Sequence, residues 1–237
     1  MNNGKAPKQT DINPGELYFS WYLDELKAEG YIKYYDREPE TFTVFPSFDH
    51  KREKHFKTKD NTLEDISLLG ASHYGYDYRV VWMPKALNVF TELYWPDGHF
   101  RFGIPTFVSH YRELMDEMEI VSYIDVKPPA AVLQFSGNIR SSHVFPFIQK
   151  TLMHYYGLYI NKIVPANSGK HGIKTNLFAK TFTPNRYLFT DQASMSRKIP
   201  FKTNSLKNYV ERQQSTINQL LKEDREWKAK SNQQTLL

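Results

Sequence analysis

Residues 121–129 read VSYIDVKPP, and no other stretch limits the fold as tightly. An apolar, β-branched run that meets two consecutive prolines is a buried strand with a fixed end, because proline has no amide hydrogen for a ladder. Side chains alternate across a strand with period two. Asp125 and Lys127 therefore leave the strand on one side, as opposite charges at its last positions.

The flanking segments supply a sheet for that strand. ELYFSWYLDELKAEGY (16–31) has helical spacing, with Phe19, Tyr22, Leu23 and Leu26 on one face and Gly30 at its end. YIKYYD and TFTVFPSF read as two strands, and YDYRVVWMP (76–84) as a third that Pro84 stops. The charged stretch 49–61 lacks periodicity and reads as a solvated loop or insertion. Aromatics and turn residues in 85–108 suggest a hairpin, and HYRELMDEMEI (110–120) suggests a short helix. SSHVFPFIQKTLMHYYG (141–157) reads as a helix and LYINKIVP (158–165) as a strand. LFAKTFTP and RYLFT look strand-like, and residues 205–230 form a long helix with apolar positions from Leu206 to Trp227.

This order predicts an α/β fold with a central mixed β-sheet flanked by helices. Residues 1–14 read as a flexible tail, 15–190 as the α/β domain with an insertion near 85–118, and 191–237 as a C-terminal extension carrying the long helix.

Composition narrows the function classes. The 237 residues, 40% hydrophobic and 15% aromatic, suffice for one good core with an appendage. There is no cysteine, which removes disulfides, thiolate metal sites and cysteine nucleophiles together. No apolar run approaches the ~20 residues that span a bilayer, and the polar start lacks a secretory apolar region. A soluble, cytoplasmic protein without a membrane partner is the expectation. A net charge of +5 favours an anionic partner. The basic segments KREKHFKTK, KHGIKTN and SRKIPFKTNSLK suit phosphate contacts, and equally suit solubilising loops.

An acid-x-Lys triplet alone says little. With 26 acidic and 31 basic residues, roughly three acid-x-Lys or acid-x-Arg triplets arise by chance. Four acid-x-Lys triplets occur: Glu25–Lys27, Asp49–Lys51, Asp125–Lys127 and Glu226–Lys228. Helical spacing splits the first and last pairs across faces, and the second lies in the charged stretch. Asp125–Lys127 alone closes a strand. There a carboxylate can hold a hard cation such as Mg²⁺, and a lysine on the same side can orient a water or offset phosphate charge.

A magnesium site needs a second acid. Asp77, opening the strand YDYRVVW, is favoured over Asp97, which sits in a Pro-Asp-Gly turn. Glu16 falls at the edge of the first helix's apolar face and is a third candidate. It also reads as an ordinary first-turn acid that the helix dipole favours. Histidines show no zinc-ligand spacing, and neither a phosphate-binding glycine loop nor a nucleophile elbow occurs.

An acid on a first helix, an aspartate opening a strand, and Asp-x-Lys closing the next strand before a helix resembles the PD-(D/E)xK nuclease superfamily. The layout ELYFSWYL…YDYRVVW…YIDVKPP is most similar to its phage and mobile-element endonucleases and covers roughly residues 14–165. The resemblance implies a restriction-endonuclease-like core and a Mg²⁺-dependent endodeoxyribonuclease that hydrolyses phosphodiester bonds in DNA, with Mn²⁺ as a substitute ion. Asp77, Asp125, the Val126 carbonyl and Glu16 would serve the metal, and Lys127 would position the attacking water. Gln149 and Lys150 match a place where such enzymes reach the nucleic acid. Tyr76 stands where the family has proline, and the 48-position separation of Asp77 and Asp125 demands an insertion. Double-strand cleavage would call for a homodimer or a partner subunit. The rival expectation is a non-catalytic protein that binds nucleic acid or another subunit on a nuclease-like scaffold.

Overall fold

The computed structural model describes residues 13–58, 60, 62–94, 106–114, 116–128, 139–166, 176–193, 199 and 201–234. It is an α/β fold with a mixed central sheet. Helix α1 (Pro14–Ala28) starts where the Asn13 side chain accepts the Gly15 amide hydrogen at 2.9 Å, and proline at its first position needs no partner there. Gly30, at φ 70°, turns the chain out of it. Residues 1–12 of the expected tail lie outside the described residues, while Asn13 and Pro14 belong to this helix.

The sheet holds six strands among the described residues. They are β1 (Ile32–Arg37), β6 (Tyr78–Trp82), β7 (Thr91–Leu93), β8 (Phe107–Leu114), β9 (Glu117–Val126) and β10 (Ile160–Ile163). Strand β6 lies antiparallel between β1 and β9. The other edge of β9 is shared end to end. Its first half pairs antiparallel with β8 and its second half, Tyr123–Val126, pairs parallel with β10. Buried Asn161 holds this junction, its amide donating to the Val108 and Tyr123 carbonyls and accepting from the Val108 N–H. Asp125 thus has the β6 side on one flank and β10 on the other.

Each face of the sheet has its own core. On one, Tyr78, Val80, Trp82, Ile120 and Ile124 pack against Phe19, Tyr22, Leu23 and Leu26 of α1, with α3 (Leu177–Lys180), α4 (Asn185–Ala193) and the start of α5 (Leu206–Gln234) behind. On the other, Val81, Val121, Tyr123 and Ile160 pack against Phe145 and Leu152 of α2 (Ile139–Tyr156). Leu206 and Tyr209 of α5 are buried in this core and Val210 and Ile217 pack against it partly buried, whereas Trp227 is exposed. No helix among the described residues is long and apolar enough to cross a membrane.

Four segments differ from the sequence expectation. Much of 49–61 is a strand, β3 (Phe48–Lys54), paired with β4 (Thr62–Leu69). Above β2 (Thr41–Phe45) and β5 (Ser72–Gly75), it forms an arm inserted between β1 and β6. Every residue of β3 is exposed, so no buried face imposes alternation on its sequence. HYRELMDEMEI is the β8–β9 turn rather than a helix. Ladder pairing overrides the helix propensity of Leu, Glu and Met, and Asp116 takes φ 64° at the bend. Within 85–108, β7 runs parallel to β8, and residues 95–105, which carry the turn motifs of the expected hairpin, lie outside the described residues. LFAK and NRYLFT are helical: Asn176 caps α3, Glu25 accepts from the Asn185 amide at α4, and Phe178 and Tyr187 serve the α1 core while Phe189 is exposed.

Candidate active site

The β6–β9 pairing register runs Tyr78 against Ile124, so its continuation sets Asp77 opposite Asp125. Regular pairing loosens there. The Asp77 amide donates to the Ile124 carbonyl at 3.0 Å, and its carboxylate accepts the Val126 amide hydrogen at 2.6 Å. Both carboxyl groups consequently meet at the end of the sheet, on the side where α2 packs.

Asp125 is 1% exposed, and a buried carboxylate persists only with partners. Lys127 Nζ lies 2.7 Å from one oxygen, and the Tyr74 hydroxyl donates to the other. Tyr74 comes from β5, at the root of the arm. Burial beside Asp125 and Asp77 pushes its phenol well above the usual range, which keeps it a donor. The Asp77 carboxyl is pushed up to about 7, chiefly by burial and then by the charges of Asp125 and Glu16, against the opposing Val126 N–H. The two carboxyls therefore share a site that disfavours both being ionised at once. Beyond Asp77 opens a cleft of about 340 Å³, lined also by Glu38, Glu40, Thr41, Gly75 and Tyr76.

Glu16 reaches the neighbourhood from the start of α1. Its carboxylate is held by Arg37 at 2.5 Å, and its carbonyl accepts the Tyr78 hydroxyl. It adds to the field on Asp77, yet no group of three His, Asp or Glu side chains spaced to hold a metal occurs among the described residues. Gln149 is turned elsewhere, donating to the Ile160 carbonyl at 2.6 Å, and Lys150 is exposed on α2. Asp97 lies outside the described residues.

Against protein-family models, curated proteins and solved structures alike, the chain has no match.

Sequence reasoning missed two neighbours of Asp125. Lys162 is its register partner on β10 and shares its face. Both Lys127 and Lys162 approach the Phe145 ring of α2, at 5.8 and 5.4 Å from its centroid. The alternation Ile160-x-Lys162 in LYINKIVP carried a faint signal, but which residue of β9 it faces depends on a register that no local pattern encodes. Tyr74 left no trace at all, since its role depends on how the arm folds back.

Proposed function

We propose that the chain is a metal-dependent endonuclease of the phage and mobile-element kind, hydrolysing phosphodiester bonds in DNA on a restriction-endonuclease-like core. The observation that carries this reading is the meeting of Asp77 and Asp125 at one sheet end, with Lys127 on the same side. The order α1, three antiparallel strands β1, β6 and β9, then α2 and a parallel β10 agrees with it.

The donor set suits Mg²⁺, with Mn²⁺ as its substitute. Two adjacent hard carboxylates are what that ion takes from a protein, the remaining positions going to water, a backbone carbonyl such as that of Val126, and substrate phosphate. Bound there, the ion would supply Lewis-acid stabilisation of the charge that develops during in-line attack. The chain's own groups have simpler tasks. Asp77 and Asp125 present their oxygens from a rigid sheet, Tyr74 orients Asp125, and Lys127 holds a water or a phosphate oxygen by hydrogen bonding. Glu16 adds negative field from behind.

A second reading also has an observation behind it. Asp125 is fully engaged by Lys127 and Tyr74, an arrangement that by itself would satisfy a scaffold whose task is binding alone. Cleavage assays over DNA and RNA with Mg²⁺, Mn²⁺ or EDTA separate the two. We expect divalent-dependent DNA cleavage that falls by on the order of 10²-fold or more in Asp125→Asn and in Lys127→Ala, with an unchanged circular dichroism spectrum. Full activity in either variant removes the nuclease assignment.

A further inference from the structure

Lys162 has an unusual position for a lysine. It stands beside Asp125 on the parallel strand β10, half-buried, on the face where the two carboxylates meet. Asp125 is already matched by Lys127 at 2.7 Å. Among the described residues, Lys162 has no hydrogen-bond or ion-pair partner; its ammonium lies over the Phe145 ring at 5.4 Å and feels the charges of Asp125 and Lys127.

Burial and the nearby Lys127 charge both disfavour an ammonium here, and Asp125 compensates only in part. An unmatched charge of this kind costs free energy unless an anion comes to it. Phe145 gives both lysines a common apolar wall, which aligns their stems without neutralising them.

We propose that Lys162 binds a backbone phosphate of nucleic acid seated at the Asp77–Asp125 pair. The ammonium is a compact point charge with three donors, suited to an oxyanion whose exact orientation varies along a strand. Its place one strand over from Asp125 puts this contact on a phosphate next to the carboxylates, while Lys127, paired to Asp125, serves the water or phosphate oxygen at the carboxylates themselves. The ligand class rests on the nuclease reading above; the unmatched charge does not.

The test uses the full chain and a short fluorescein-labelled DNA duplex, with anisotropy read in EDTA across a salt series. Lys162→Met removes the charge and keeps a long stem, and Lys162→Arg keeps the charge. Lys162→Met should bind several-fold more weakly, with the slope of log affinity against log salt reduced by about 1. Lys162→Arg should stay near wild type. A structural lysine would instead lower the melting temperature and leave the salt slope unchanged. That result overturns the proposal, as does a wild-type chain that binds no DNA.

Cleavage by Asp125→Asn, measured alongside, keeps the two claims apart. If that variant still cleaves, the nuclease reading fails and the binding result for Lys162 stands or falls alone. If it is inactive and Lys162→Met binds as wild type, only the phosphate contact is lost.

Discussion

The end of the central sheet and the β3–β4 hairpin are both β-structure carrying charge, but they are built in opposite ways. At the sheet end, Asp125 is 1% exposed and each of its oxygens has a fixed partner. On the hairpin, all seven residues of β3 are exposed, and Leu63 and Leu69 stand in solvent at 70% and 68%. The first region holds groups in place by packing on both faces, whereas the second has a ladder and no core of its own. Such a two-stranded ribbon is at best marginally stable alone. The comparison teaches where chemistry can reside: near the sheet, with the arm entering only through Tyr74 at its root.

That contrast predicts a graded response to substitution. Phe19 is fully buried between α1 and the sheet, so Phe19→Ala should cost about 3–5 kcal/mol in urea unfolding. A loss below ~1 kcal/mol would mean that this core is not what fixes the sheet end.

The next effect is smaller and depends on pH. Asp77 titrates at about 7 in the fold against an ordinary value of 3.8. Between those values the folded chain keeps a proton that the unfolded chain releases, so stability falls as pH rises through the interval. Asparagine has no such proton to lose and can still accept the Val126 N–H. In EDTA, Asp77→Asn should therefore melt higher than wild type at pH 8 and level with it near pH 4. Equal melting temperatures at both would contradict a carboxyl that burial and its neighbours hold protonated to about pH 7.

The smallest effect belongs to the arm. Leu63→Ser should change global stability by no more than ~0.5 kcal/mol, with the same urea titration as the check. A large loss would show that the hairpin packs on something and is not the open ribbon described here.

What the sequence made legible follows the same division. The strand VSYIDV, the first helix and its Gly30 terminus could be read because each buries a face with the right period. Asp125 and Lys127 could be placed on one side by alternation alone. The charged β3 strand could not be read, since a ribbon solvated on both faces has no alternation to display. Nor could the helices at Leu177–Lys180 and Asn185–Ala193, where Phe178 and Tyr187 mark burial against α1 and mimic strand composition. Lys162 shows the deeper limit. Its strand was visible, but its position opposite Asp125 exists only once Asn161 has ended one pairing of β9 and begun another.

The central claim is that the sheet delivers Asp77 to Asp125 as a working pair. DNA cleavage with Mg²⁺ by Asp77→Asn and Asp97→Asn, compared side by side with wild type, tests it most directly. Asp77→Asn should lose on the order of 10²-fold or more, with Asp97→Asn close to wild type. Full cleavage by Asp77→Asn together with an inactive Asp97→Asn would contradict it.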